Sequence, residues 1–244
     1  FWILLISFII SHLLVIIPFL IKKIKFVKLD FNFLKGTFTF YLVQILYITY
    51  AHFSKVLQGE FQNFELVGVL SISMVVGKVI SMLGTNFSLV LMPEFSKAWD
   101  KKNFKQIESY FNQISRVNIY IVTPLAVFFI INSNKILSLI GESFQGGDII
   151  FILLIISSTV TAYVGPNGAV LLMTNNVKKE IFNGFLMLFS AIIFGIIFGK
   201  KYFYGIALSI FLSEIIVAVS KRSMTYKLLN LKFLNNKTFF IYYF

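Results

Sequence analysis

The chain has 244 residues, of which 58% are hydrophobic, 18% aromatic and only 13% charged. Soluble domains carry about a quarter charged residues, so a soluble globule is excluded and the excess apolar surface must face lipid. With no cysteine and two histidines, His12 and His52, disulfides, thiolate metal sites and a cysteine nucleophile are excluded, and neither a metal nor another cofactor is expected.

A spanning helix needs about 20 apolar residues to cross about 30 Å of hydrocarbon. The first such segment is 1–21, which holds His12 alone among titratable groups. Thr37–Phe53 is the second, rich in Tyr and Phe, and Leu66–Leu91 is the third, interrupted by Lys78. Val117–Asn132, extending toward Leu139 and containing Pro124, is the fourth; Ile149–Leu172, containing Pro166, is the fifth. Phe182–Phe198 is the sixth and carries no charge; Tyr204–Ser220, with Glu214 inside, is the seventh. These runs do not alternate as β-barrel strands do. The expected fold is therefore all-α, a polytopic integral membrane protein of about seven transmembrane helices.

Net charge is +12, but it lies in short clusters between apolar runs, as in membrane loops and unlike a nucleic-acid groove. One set of loops holds Lys22, Lys23, Lys25, Lys28 and Lys35, then Lys97, Lys101, Lys102, Lys105 and Arg116, then Lys178 and Lys179, then Lys221, Arg222, Lys227, Lys232 and Lys237. The other set holds Lys55, Lys135, Lys200 and Lys201. The bias places the rich set, and the C-terminus, in the cytoplasm. The loop 93–116 mixes charges with Phe95, Trp99, Phe104, Ile107 and Phe111. That pattern suits an amphipathic helix on the cytoplasmic surface or, alternatively, a solvated helical hairpin.

Lys78 is the most informative single residue. It lies about 18 Å from the ends of its segment at the helical rise, beyond the reach of a snorkelling stem. A charge there costs about 2.5–3.5 kcal/mol, so it is expected to face a wet cavity or a partner. Ser71, Lys78, Ser81, Thr85 and Ser88 recur at helical spacing. Thr37, Tyr41, Gln44 and Tyr47 form a second stripe. Together these stripes are read as a cavity wall, with hydroxyl-mediated helix packing as the alternative. Glu214, about two turns from Lys221, is expected to be a coupling or a structural charge. Gly165, Pro166 and Gly168 are hinge candidates, because Gly-Pro breaks a helix and frees carbonyls. No zincin, phosphate-loop or serine-centred pattern is present, so an enzyme is not expected.

The stretch Gly84-Thr85-Asn86-Phe87-Ser88-Leu89-Val90-Leu91-Met92-Pro93-Glu94-Phe95-Ser96-Lys97 resembles a cavity helix and its cytoplasmic loop in polysaccharide flippases of the MATE-like (MOP) superfamily, including Wzx-type O-antigen and capsule repeat-unit transporters. Ile136–Gly141, Val164–Gly168 and Leu171–Thr174 are similar to that family's next helices, and the similarity covers most of 37–229. The resemblance implies a two-lobe transporter seen as a C-terminal half. Residues 1–21 would be the last helix of an N-terminal lobe, 22–36 a basic cytoplasmic connector, 37–220 a six-helix C-terminal lobe, and 221–244 a basic cytoplasmic tail. The implied activity is translocation of undecaprenyl-pyrophosphate-linked oligosaccharides across a bacterial inner membrane by alternating access. Lys78 would meet the head group, and the hydroxyls with Gln44, Tyr41 and Tyr47 would meet sugar. Implied partners are membrane lipid, the lipid-linked substrate, the N-terminal lobe and the polysaccharide polymerase with its chain-length machinery, with no nucleic acid. A drug antiporter, a lipid II flippase and a membrane-embedded polymerase or acyltransferase are the competing readings.

Overall fold

The structure, a computed structural model, describes residues 31–62 and 64–229, with side chains from Phe38 onward. The expected helix 1–21, most of the connector and the end of the tail lie outside the described residues. The chain divides after Phe38 into two units; only the opening turns of one helix are described in the first, and the following concerns the second.

Every regular element among the described residues is helical. α1 is Phe31–Phe61 and α2 is Phe64–Asp100; α3 is Phe104–Ile131 and α4 is the short Ser133–Ile140. A 3₁₀ turn at Glu142–Phe144 leads to α5, Asp148–Tyr163, and the short α6, Asn167–Met173. α7 is Val177–Gly199 and α8 is Gly205–Leu228. α2, α3 and α7 are each long and apolar enough to cross a membrane, and α5 with α6 makes a fourth candidate bent by 46°. These features make the chain an all-α membrane protein.

Close approaches fix the helix directions. On α7, Gly184, Gly195 and Gly199 lie against Leu46, Leu57 and Phe61 of α1 in constant register, so α1 and α7 run parallel. Gly195 and Gly199 therefore work as a close-packing pair, with Ile206 of α8 on their other flank. Gly84 of α2 meets Asn118 of α3 in an antiparallel hairpin, and Gly147, which caps the start of α5, and Leu154 within α5 meet Val69 and Gly77 of α2 in parallel. The long helices thus alternate in direction along the chain. One end of the bundle carries Lys101, Lys102, Lys178 and Lys179 and is called the basic end.

Three apolar clusters hold the bundle. One joins Tyr50 of α1 to Val69 and Leu70 of α2, Ile150 and Leu154 of α5, Met187 of α7 and Ile210 of α8. Another joins Ile80, Val122, Phe151 and Ile155. The third lies at the basic end, where Phe95 and Ala98 of α2 meet Ile107, Phe111 and Ile114 of α3, with Ala169 and Val170 of α6.

That third cluster separates the two expectations for 93–116: the helical hairpin forms, and the interfacial helix does not. α2 runs through Pro93 to Asp100, turns at Lys101–Asn103, and returns as α3. The apolar residues that suggested a lipid surface pack on each other instead. Trp99 meets Phe104 edge-on at 5.6 Å and Phe95 meets Tyr110 at 6.3 Å. Asn103 caps α3 by accepting from the Gln106 N–H at 3.2 Å, and its amide donates to Gln106 Oε1 at 3.1 Å. α8 continues past Ser220 to Leu228, so the first residues of the expected tail are helical.

Candidate functional site

On α2, Lys78 and Thr85 are exposed, Ser71 and Ser81 are half-buried, and Ser88 is buried. Ser88 turns inward and donates to the Gly84 carbonyl at 3.1 Å, so the five do not share one environment. Ser81 and Thr85 donate to the carbonyls of Lys78 and Ser81 at 3.1 and 2.9 Å. Such back-bonding lets hydroxyls lie on an apolar helix without orphaned donors. Lys78 forms no ion pair among the described residues. Its neighbours on the exposed side are apolar, including Val75, Val79 and Met82.

On α1, Tyr41, Gln44 and His52 are exposed, but Tyr47 is not part of that face. Its ring turns into the bundle, and its hydroxyl donates to Glu180 Oε1 at 2.9 Å. Gln44 and Tyr47 are three residues apart, about 60° around a helix, enough to separate an outward side chain from one packed inside.

Tyr47 leads to a cluster that the residue pattern did not single out. Lys221 Nζ of α8 lies 2.5 Å from Glu180 Oε1 of α7. Side-chain exposure is 4% for Glu180 and 19% for Lys221. The ammonium also sits 5.0 Å from the Tyr47 ring centroid, a cation–π contact. Glu180 Oε2 is buried without a hydrogen-bond partner. One turn along, Ser220 donates to Asn183 Oδ1 at 2.8 Å. Pairing two helices through their ions requires the α7–α8 register, which Gly195 and Gly199 against Ile206 set at the far end.

Glu214 is a separate centre. It accepts from Ser157 at 2.5 Å and Thr161 at 3.0 Å, both on α5. The Tyr50 hydroxyl is buried without a hydrogen-bond partner. Gly77 of α2 rests against Leu154 and Ser158 of the same α5 segment. Glu214 and Lys78 therefore lie at a similar level of the bundle, Glu214 bonded inside and Lys78 exposed.

The hinge candidates occupy the α5–α6 bend. Gly165 has φ +84°, a conformation that costs most L-residues about 1–2 kcal/mol. Pro166 has no N–H to continue the ladder. The carbonyls released are taken up by protein: Asn118 of α3 donates to the Ala162 carbonyl at 3.0 Å, and Asn167 to that of Val164 at 2.6 Å. Gly168 stands over the ion pair, where a Cβ would lie 3.3 Å from Glu180 Oε1 and 3.6 Å from Lys221 Nζ.

The cluster holds one carboxylate, one ammonium and one phenol, and no set of metal-ligating groups occurs among the described residues. Comparison of the chain with protein-family models, with curated proteins and with solved structures finds no match.

Proposed function

We propose that this chain forms the C-terminal lobe of a two-lobe flippase that moves polyprenyl-pyrophosphate-linked oligosaccharides across a bacterial cytoplasmic membrane. α1 and α8 then cross the bilayer with α2, α3, α5–α6 and α7, making six crossings, and the basic end is cytoplasmic. One observation carries the reading. Lys78 projects from an exposed face of α2, far from both ends of a long apolar helix. In lipid such a charge is costly, so the face must be covered by protein or water.

A second lobe enclosing an aqueous cavity meets that requirement. Lys78 is then a point-charge ligand for pyrophosphate. Thr85 and Ser81 on α2, with Tyr41 and Gln44 on α1, offer hydrogen bonds to sugar. Glu214 and the Glu180–Lys221 pair belong to the lobe's interior and brace it.

The test is inner-leaflet accumulation of lipid-linked repeat units in cells whose gene is deleted and then complemented. Wild-type and Lys78→Arg proteins are expected to clear the accumulated lipid, and Lys78→Ala, normally expressed, to leave it. Full clearance by Lys78→Ala would remove the basis of the assignment. Accumulation of translocated but unpolymerised units would point to a polymerase instead.

A further inference from the structure

Lys78 has basic neighbours on the outer surface of α1. His52 is exposed there, and Lys55, on the next turn, is half-buried. None of the three forms an ion pair among the described residues. Their order follows from the register of α1 on α2. A Cβ on Gly59 of α1 would lie 3.5 Å from Val67 of α2. Counting equally away from that contact in the antiparallel pair sets His52 level with Met74, and Lys55 level with Ser71. Met74 packs against the core cluster that holds Tyr50, as do Tyr47 and Ala51, so its edge of α2 borders α1. Lys78 lies one turn further along that edge, and His52 follows Ala51 on α1. Both are exposed, so they flank one groove on the outer side of the two helices.

Three basic groups therefore climb the groove in the order Lys78, His52, Lys55. Their levels differ by about 6 Å and then about 4–5 Å, at the helical rise. Beyond Lys55 the sign reverses, with Glu60 and Glu65 exposed at the end of the pair away from the basic end. His52 is also deep. Leu46 and Leu57 lie against Gly184 and Gly195 of the parallel α7, which sets His52 level with Ser190, about 14 Å from the nearer end of α7. An imidazole does not reach across that distance, and a titratable group facing lipid is costly. His52 thus needs the same wet or protein-covered setting as Lys78.

We propose that His52 is a second head-group ligand, set one turn outward from Lys78, so that the groove grips both phosphoryl groups of a polyprenyl pyrophosphate. This role rests on the transport reading above and adds what the site selects: a diphosphate meets two donors, a monophosphate only one. Imidazole donates an N–H in either protonation state and adds a charge when protonated. Lys55 continues the path outward, and the acidic groups beyond it favour release of the anion.

The full-length protein in lipid nanodiscs is titrated with farnesyl pyrophosphate and with farnesyl monophosphate, two short polyprenyl probes. The unaltered protein is expected to favour the pyrophosphate. His52→Gln, at an exposed position, is expected to weaken pyrophosphate binding about tenfold, the loss of one hydrogen bond to a charged group. Monophosphate binding, held at Lys78, is expected to stay nearly unchanged. His52→Lys is expected to restore the preference, and Lys78→Ala to weaken both probes. An unchanged ratio of the two affinities in His52→Gln, or no recovery in His52→Lys, would overturn the role of His52; the transport reading would stand if Lys78→Ala still weakened both probes. Failure of the unaltered protein to bind either probe would overturn the transport reading and the role of His52 together.

Discussion

Replacing Lys221 with Met removes the ammonium 2.5 Å from Glu180 and leaves a carboxylate that is 4% exposed. One oxygen of that carboxylate already lacks a partner, so only the Tyr47 hydroxyl remains to solvate it. Breaking a buried pair from one side costs about 3–5 kcal/mol, and the retained Tyr47 bond places this case near 3 kcal/mol. Glu180→Met strands the other ion, but Lys221 is 19% exposed and can turn to water. Its cost is about 1–2 kcal/mol, the range for losing a hydrogen bond to a charged group. The double variant removes both charges and replaces them with apolar volume. It is expected within about 1 kcal/mol of the unaltered chain. Equilibrium unfolding in mixed detergent micelles, followed by far-ultraviolet circular dichroism, measures all three. If the double variant loses the sum of the two singles, the charges are not coupled and the reasoning is refuted.

Other outcomes follow from the same packing. Gly195→Leu drives a side chain into Leu57, whose Cδ1 would lie 2.8 Å from the new Cβ; overpacking costs about 1–3 kcal/mol and should lower the unfolding midpoint, whereas Ile196→Leu, on an exposed position of α7, should not. Gly165→Ala strains a φ of +84° and meets Ser115 Oγ; Ser115→Ala in the same chain should recover part of the lost stability, and no recovery would show that backbone strain alone is responsible. Glu214→Leu should be destabilising by about 1–3 kcal/mol, because the buried Ser157 and the more exposed Thr161 lose their carboxylate acceptor; Glu214→Gln should be milder, and equal effects would deny those bonds a role.

The helix positions were legible because an apolar run broken by lysines has one stable answer in lipid: a helix that satisfies its own backbone. The bend at Gly165-Pro166 was legible for the same reason, since no helix continues through a positive φ followed by a missing N–H. What covers an amphipathic surface was not. Phe95, Trp99, Phe104 and Phe111 announce an apolar face, but sequence spacing does not distinguish a lipid surface from a facing helix. Lys221 and Glu180 were harder still. Each stands among basic residues at a segment end, where a loop charge is the ordinary reading. Their pairing depends on the α7–α8 register, which is set by close approaches some 15 residues away, about four helical turns. Spacing groups Tyr47 with Tyr41 and Gln44, although Glu180 draws it inside.

The exposed face of α2 decides the central claim, because the same face must meet either lipid or a wet, substrate-binding cavity. The direct measurement is thiol labelling of Thr85→Cys and Ser81→Cys in the full-length protein with Lys78 intact, against Phe189→Cys and Ile193→Cys on apolar exposed positions of α7. A water-soluble reagent should modify the first two and spare the second two, and added pyrophosphate-linked oligosaccharide lipid should slow the modification. Equal, slow labelling at all four positions, unaffected by that lipid, would contradict the assignment.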